Sequence, residues 1–464
     1  MPPFLHFEAL DTKPMRQTGL SEWELDVLSR ETLAYSSISG GRAVTSHSDV
    51  ATLINLIKRL EENIWRAYPH GQRDIILELN RSSHRQFPWQ RPTNHPAIAR
   101  YYKIYSDPKV EEVLRRVTGL NTVELFRVGI GLTGHFLEKP ALPIPAPAAL
   151  RVDSSQIDNF LRRFADTIVN LRNHIEAKAA FGVNWAYVSN PLRDRPLVAV
   201  MINGGPHYLC PIPSFLLQRL TSGIYYELIS DDGFANPFGA SFQRYLGEVL
   251  VRVQANASVP YAIFPERNYG PASKRKDTVD WIATDGSANL FIEAKAKRLA
   301  VQAKIDLESR TAMESQVSKM AEFVVQVYKT IVDALDGKYP EWKPNALPIY
   351  PIVVTLEEWF PLGPIVHGTL KNRVVELMEE AKLDIGMLKT MPYSLASSDD
   401  FEMAIHVMSK RGIDTVMAER CSEEKREWLL AGVLTNSFAD ELSDAEMFFP
   451  EIWKEIIPET MGDQ

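Results

Sequence analysis

Two short runs, Asp280-Trp281-Ile282-Ala283 and Leu290-Phe291-Ile292-Glu293-Ala294-Lys295, flank the segment Thr284-Asp285-Gly286-Ser287-Ala288-Asn289. Side chains on a strand alternate between faces, so Phe291, Glu293, Lys295 and Lys297 share one side while Leu290, Ile292, Ala294 and Ala296 share a wholly apolar one. The Asp-Gly and Gly-Ser steps between the runs supply the positive φ values that a tight turn needs. An antiparallel hairpin is the expected structure. With its loop centred between Gly286 and Ser287, residue 280 stands opposite residue 293, with Cβ atoms roughly 4.5–5.5 Å apart. Asp280 and Glu293 are then neighbours on the face that carries Lys295.

Two carboxylates at that spacing repel unless they are protonated or share a cation, and a hard divalent ion with oxygen ligands answers that need. Magnesium, with manganese in its place, suits one or two carboxylates completed by water and phosphate. Lys295, two residues past Glu293, is placed to stabilise charge that builds on a phosphoryl group or to orient an attacking water.

Asp280 followed by Glu293-Ala294-Lys295 resembles the PD-(D/E)XK nuclease superfamily, with Val279 where the motif's name has proline. The resemblance covers about residues 237 to 360 and implies an α/β fold with a mixed central sheet flanked by helices, a restriction-endonuclease-like core. It implies Asp280 and Glu293 as metal ligands and Lys295 as the catalytic lysine. Members commonly carry a further glutamate on the helix before the sheet. Here Glu248 is the available carboxylate, and Gln243 stands at the equivalent turn.

The surroundings are read from pattern. Residues 237–250 have helical apolar spacing with proline at the start. Tyr261 to Glu266 is expected as a strand, and Lys274-Arg275-Lys276 as a basic loop suited to a phosphate backbone, with Lys297 and Arg298 continuing the positive character after the site. Met313 to Leu335 is expected as a long helix. Its Gln316 and Gln326 are candidates for the glutamine that relatives carry there, with a surface role the plainer reading. Ile349 to Leu356, a continuous apolar run, is expected as a strand buried on both faces.

A chain of 464 residues is long for one compact unit. The expected division is a mostly helical N-terminal module over 1–235, with a subdomain break near the prolines at 140–150, a nuclease core over 236–363, and a helical C-terminal extension over 364–464. Helices are expected at Ser48–Tyr68, Val110–Val117, Ile157–Ala180, Val374–Leu383, Met403–Met408 and Glu424–Leu434, and a strand at Leu197–Ile202. Phe448, Phe449 and Trp453 are expected to dock the C-terminal segment onto the body.

Only Cys210 and Cys421 are present, without metal-ligand spacing, which argues against zinc modules and a disulfide scaffold. With no apolar run of spanning length and no signal-like leader, a cytoplasmic protein without membrane contact is expected. The net charge of −8 argues against a general nucleic-acid coat but leaves room for an enzyme with a local basic patch. Gly129-Ile130-Gly131-Leu132-Thr133-Gly134, with Asp153 downstream, matches a dinucleotide fingerprint, yet the prolines at 140, 143, 145 and 147 cannot continue the helix that such a site requires.

The function expected is therefore a magnesium-dependent endonuclease, in antiphage defence by analogy with large single-chain members, acting on DNA in preference to structured RNA such as tRNA. A phage protein sensed by the N-terminal module is the expected trigger. The third reading is a catalytically idle nuclease fold that serves as a binding platform.

Overall fold

The computed structural model describes residues 21–36, 44–68, 78, 82, 85–86, 93–147, 152–296, 310–358 and 363–457. It divides into two compact units, the first formed by Met1–Ile75, Ser82–Pro237 and Phe449–Gln464, the second by Ile76–Arg81 and Phe238–Phe448.

In the first unit, helices α1 (Glu22–Tyr35) and α2 (His47–Ala67) each open on a serine capping box, Ser21 with Glu24 and Ser46 with Asp49, which satisfies backbone donors that the first turn leaves over. Leu25, Leu28, Val50, Ile54 and Ile57 pack these two helices together. Helices α3 (His95–Tyr105), α4 (Pro108–Thr118) and α5 (Thr122–Glu138) follow, each begun by an Asn or Asp side chain that accepts from the first-turn amides. The Gly129–Gly134 run lies inside α5, where a Cβ on Gly129 would meet the Leu220 side chain at 2.4 Å. Glycine serves close packing there.

Within the proline-rich stretch, β1 (Ala141–Pro143) pairs antiparallel with β4 (Gly205–Leu209) in a sheet ordered β1-β4-β3-β2. The helical stretch expected over 157–180 is interrupted. It forms α6 (Ser154–Phe164) and α7 (Ile168–Ala177), because Ala165–Thr167 runs as β2 alongside β3 (Leu197–Ile202) and the Thr167 hydroxyl then caps α7. The short helices α8 (Ser214–Gln218) and α9 (Tyr225–Leu228) are joined by a π-helical turn over Arg219–Gly223. Residues near the C-terminus dock on this unit: Phe449 is buried beneath the Lys103 ammonium, Trp453 meets His95 edge-on at 4.9 Å, and Arg127 donates to the carbonyls of Glu455 and Ile456.

The second unit is built on a five-stranded mixed sheet ordered β11-β10-β9-β8-β5. Helix α10 (Ala235–Asn256) leads into β5 (Ala262–Pro265), the two-residue strands β6 (Asn268–Tyr269) and β7 (Lys276–Asp277), β8 (Trp281–Thr284) and β9 (Asn289–Lys295). After helix α11 (Arg310–Leu335), strand β10 (Ile349–Thr355) lies parallel to β9, with every residue buried as its unbroken apolar run requires. Residues beyond 363 are more than a helical extension. Following α12 (Gly363–Glu380), β11 (Ser394–Ser397) closes the sheet parallel to β10. Helices α13 (Ser398–Arg411), α14 (Ile413–Cys421) and α15 (Leu430–Ser437) complete the unit, and the expected start of the last at Glu424 is instead a run of turns.

Helices cover both faces of the sheet. Ile282, Phe291 and Val353 join Val324, Val327, Tyr328 and Ile331 of α11 in one core, with Val366, Leu370 and Val374 of α12. On the opposite face Trp281 lies so close to α10 that a Cβ on Gly247 would stand 2.0 Å from its ring, and its indole N–H donates to the Gln243 carbonyl at 2.8 Å. Among the described residues, no helix is long and apolar enough to cross a membrane.

Candidate functional site

The β8–β9 ladder pairs Trp281 with Ile292 and Thr284 with Asn289, so the next rung outward sets Asp280 opposite Glu293. The turn explains the register. Gly286 has φ 83°, and the Asp285 carboxylate accepts from the Ser287 amide, the Ser287 hydroxyl and the Ala288 amide, a local closure that suits Asp at this position. The same turn reaches α14, whose first residue carries no side-chain cap of its own: Asp285 accepts from the Ile413 amide at 2.6 Å, and the Ser287 hydroxyl from the Asp414 amide at 3.1 Å.

On the other side of β8 the pairing with β5 slips by one residue. Pro265 faces Trp281 and Asn268 faces Asp277, which leaves Glu266 and Arg267 on one strand against Thr278, Val279 and Asp280 on the other. The Thr278 amide donates to the Arg267 carbonyl at 2.9 Å, so the extra residue lies at Val279–Asp280, opposite Glu266. Such a bulge bends the strand and re-aims its side chains, and bulges are over-represented beside active sites.

The resulting site is tightly packed and charged. Glu293 is 2% exposed, and its Oε1 takes a hydrogen bond from the Lys295 ammonium at 2.5 Å. Lys295 also lies 5.2 Å above the Phe323 ring of α11, a cation–π contact that holds the amine in place. Asp280 Oδ2 accepts from the Ala294 amide at 2.6 Å. Burial, and then the neighbouring Glu293 charge, raise the Asp280 carboxyl well above the ordinary carboxylate range, against the Ala294 amide and Lys295, which act to lower it. Glu293 is raised mainly by burial, with Lys295 opposing. In both, Glu266 adds further upward pressure.

Glu266 is the carboxylate that sequence reasoning passed over. Its Oε2 accepts from Gln243 Nε2 of α10 at 2.9 Å, so Gln243, at the helical turn compared with Glu248, joins the site through it. Glu248 sits half-buried one residue past Gly247, more than a turn beyond Gln243. Glu266 is the last residue of the expected strand, but its position beside Asp280 depends on which strand neighbours β8, and no local pattern carries that.

Among the expected basic contacts, Lys274 and Arg275 are exposed. Lys276, although mostly exposed, is engaged: together with Lys338 and the Tyr269 hydroxyl it binds the Asp333 carboxylate, at 2.6, 2.6 and 2.7 Å. Lys297 and Arg298 lie outside the described residues. On α11, Gln326 is exposed, whereas the Gln316 Oε1 is buried without a hydrogen-bond partner.

The donor set suits a hard cation in part. Asp280 and Glu293 each engage one oxygen in a protein hydrogen bond, leaving the other oxygen of each for a ligand. Among the described residues no group of three or more His, Cys, Asp or Glu side chains gathers closely enough to hold a metal alone. Two carboxylates completed by water and phosphate is the magnesium pattern. Comparisons with protein-family models, with curated proteins and with solved structures returned no match.

Proposed function

We propose that the second unit is a metal-dependent endonuclease of the PD-(D/E)XK type that hydrolyses phosphodiester bonds, with DNA as its substrate. One observation carries the reading: the hairpin register sets Asp280 against Glu293 on one rung, with Lys295 bonded to Glu293. The mixed sheet with helices on both faces supports it.

Asp280 and Glu293 would hold a divalent cation, magnesium or manganese, which when bound polarises a phosphoryl oxygen and lowers the pKa of a bound water. Lys295 contributes fixed positive charge. Its tether to Glu293 and its seat on Phe323 preorganise it to stabilise charge developing on the phosphoryl oxygens. Exposed Lys274 and Arg275, in the loop that joins β6 to β7, supply backbone attraction that salt weakens.

The test incubates the purified chain with plasmid, single-stranded DNA and total tRNA, with and without magnesium. Cleavage of DNA that requires magnesium and vanishes in both Lys295→Ala and Glu293→Ala is the expected result. Cleavage confined to tRNA would move the assignment to an RNase on the same residues. Activity surviving the combined Glu293→Ala and Lys295→Ala change would end it.

A further inference from the structure

The first unit contains a second concentration of charge. Arg163 lies in the last turn of α6, Arg195 just ahead of β3, Arg219 at the start of the π-helical turn, and Glu227 on α9. β2 begins two residues after Arg163 and pairs with β3, which begins two residues after Arg195, and the Arg195 guanidinium donates to the Arg163 carbonyl. Glu227 forms ion pairs with Arg163 and Arg219 and lies 3.6 Å from Arg195. The Arg219 side chain is 1% exposed and also donates to the Gly223 carbonyl at 2.5 Å, and its guanidinium lies over the Phe164 ring.

Three guanidiniums meet at one half-buried carboxylate. Asp194 approaches Arg219 only at 3.9 Å, with its own side chain 60% exposed, so solvent screens much of its charge. Burial lowers Arg195, the nearby Arg163 charge adds to that, and Asp166 and Asp194 act against it. The Nε donors of Arg163 and Arg219 are both buried and donate to nothing. Buried guanidinium donors without acceptors are costly, and each calls for a missing partner such as a water or an ion. Arg163 and Arg195 keep side-chain exposures of 31% and 28%, which leaves the cluster open to solvent on one side. A π-helical turn contributes Arg219, and such turns recur at functional sites.

We propose that Arg163, Arg195 and Arg219 form a binding site for a phosphoryl group, borne either by inorganic phosphate or by a nucleotide. Glu227 is the carboxylate that faces all three guanidiniums, and the several oxygens of an anionic phosphoryl group accept from donors converging on different sides. A planar monocarboxylate would supply fewer acceptors. The site lies wholly in the first unit and is independent of the nuclease reading.

The experiment follows thermal unfolding and calorimetric binding of the full chain with inorganic phosphate, with AMP, and with acetate or chloride at matched ionic strength. Phosphate or AMP should bind saturably and raise the melting temperature by on the order of 5 °C at a hundredfold excess over Kd, with no such rise from acetate or chloride. Tenfold tighter binding of AMP than of phosphate would identify a nucleotide as the source; equal or weaker binding would identify the free anion. Arg195→Gln should weaken binding at least tenfold. Should that variant unfold, Arg163→Lys keeps the charge while removing the planar fork, and it should weaken binding by a similar factor. A rise common to all salts, or an affinity unchanged in either folded variant, overturns the proposal.

Discussion

Asp280→Asn separates stability from activity, because the rung that would hold a cation is a source of strain without one. Asp280 stands one residue beyond the β8 ladder, in the register that faces Glu293, and burial together with that neighbouring charge raises its carboxyl to about 8, so that at neutral pH without a cation the folded chain must protonate it at a cost on the order of 3 kcal/mol. Lys295 compensates only Glu293 directly. The asparagine amide oxygen can still accept from the Ala294 amide, though the exchange gives up about 1 kcal/mol of that bond. The net expectation is a gain of about 2 kcal/mol, or a melting temperature higher by about 4–8 °C for a unit of this size, measured by calorimetry in chelator. Magnesium should raise the melting temperature of the unchanged protein and have little effect on the variant, while nuclease activity falls by at least 100-fold. A variant that melts below the parent in chelator, or that magnesium stabilises equally, would refute the argument that the fold opposes a charge on Asp280 beside Glu293.

Gly247→Ala should destabilise the second unit by about 2–3 kcal/mol, read from denaturant midpoints at unchanged slope, since the new methyl group meets a Trp281 ring anchored by its bond to Gln243. Asp285→Ala removes the acceptor for both the hairpin turn and the first amide of α14, and should cost about 2 kcal/mol, with faster hydrogen exchange at Ile413 and Ser287. Burial acts to raise the Asp333 carboxyl, but hydrogen bonds from Lys276, Lys338 and Tyr269 outweigh it and bring the group down to about 2. Because the folded value lies below the unfolded one, its stabilisation is complete above about pH 4 and is lost as pH falls toward 2. Over that interval the parent should lose on the order of 1–2 kcal/mol more than Asp333→Asn, the exposed lysines being partly screened.

Period-two alternation and a turn residue with its own hydrogen-bonding side chain were enough to determine the β8–β9 register, because both act over a few neighbouring residues. The same holds for β10, whose apolar residues on both faces allow no exposed side. Partners distant along the chain were not legible. Lys276 reads as a free basic residue until the fold brings Asp333 to it, and Glu266 is unremarkable until β5 pairs with β8 and the bulge turns Asp280 toward it. Strand β11 lacks the length to announce itself and is a strand because β10 offers it an unpaired edge. Local sequence determines which face a side chain occupies. Tertiary structure alone decides which charges share that face, since the energy of burying a charge depends on neighbours the chain supplies from elsewhere.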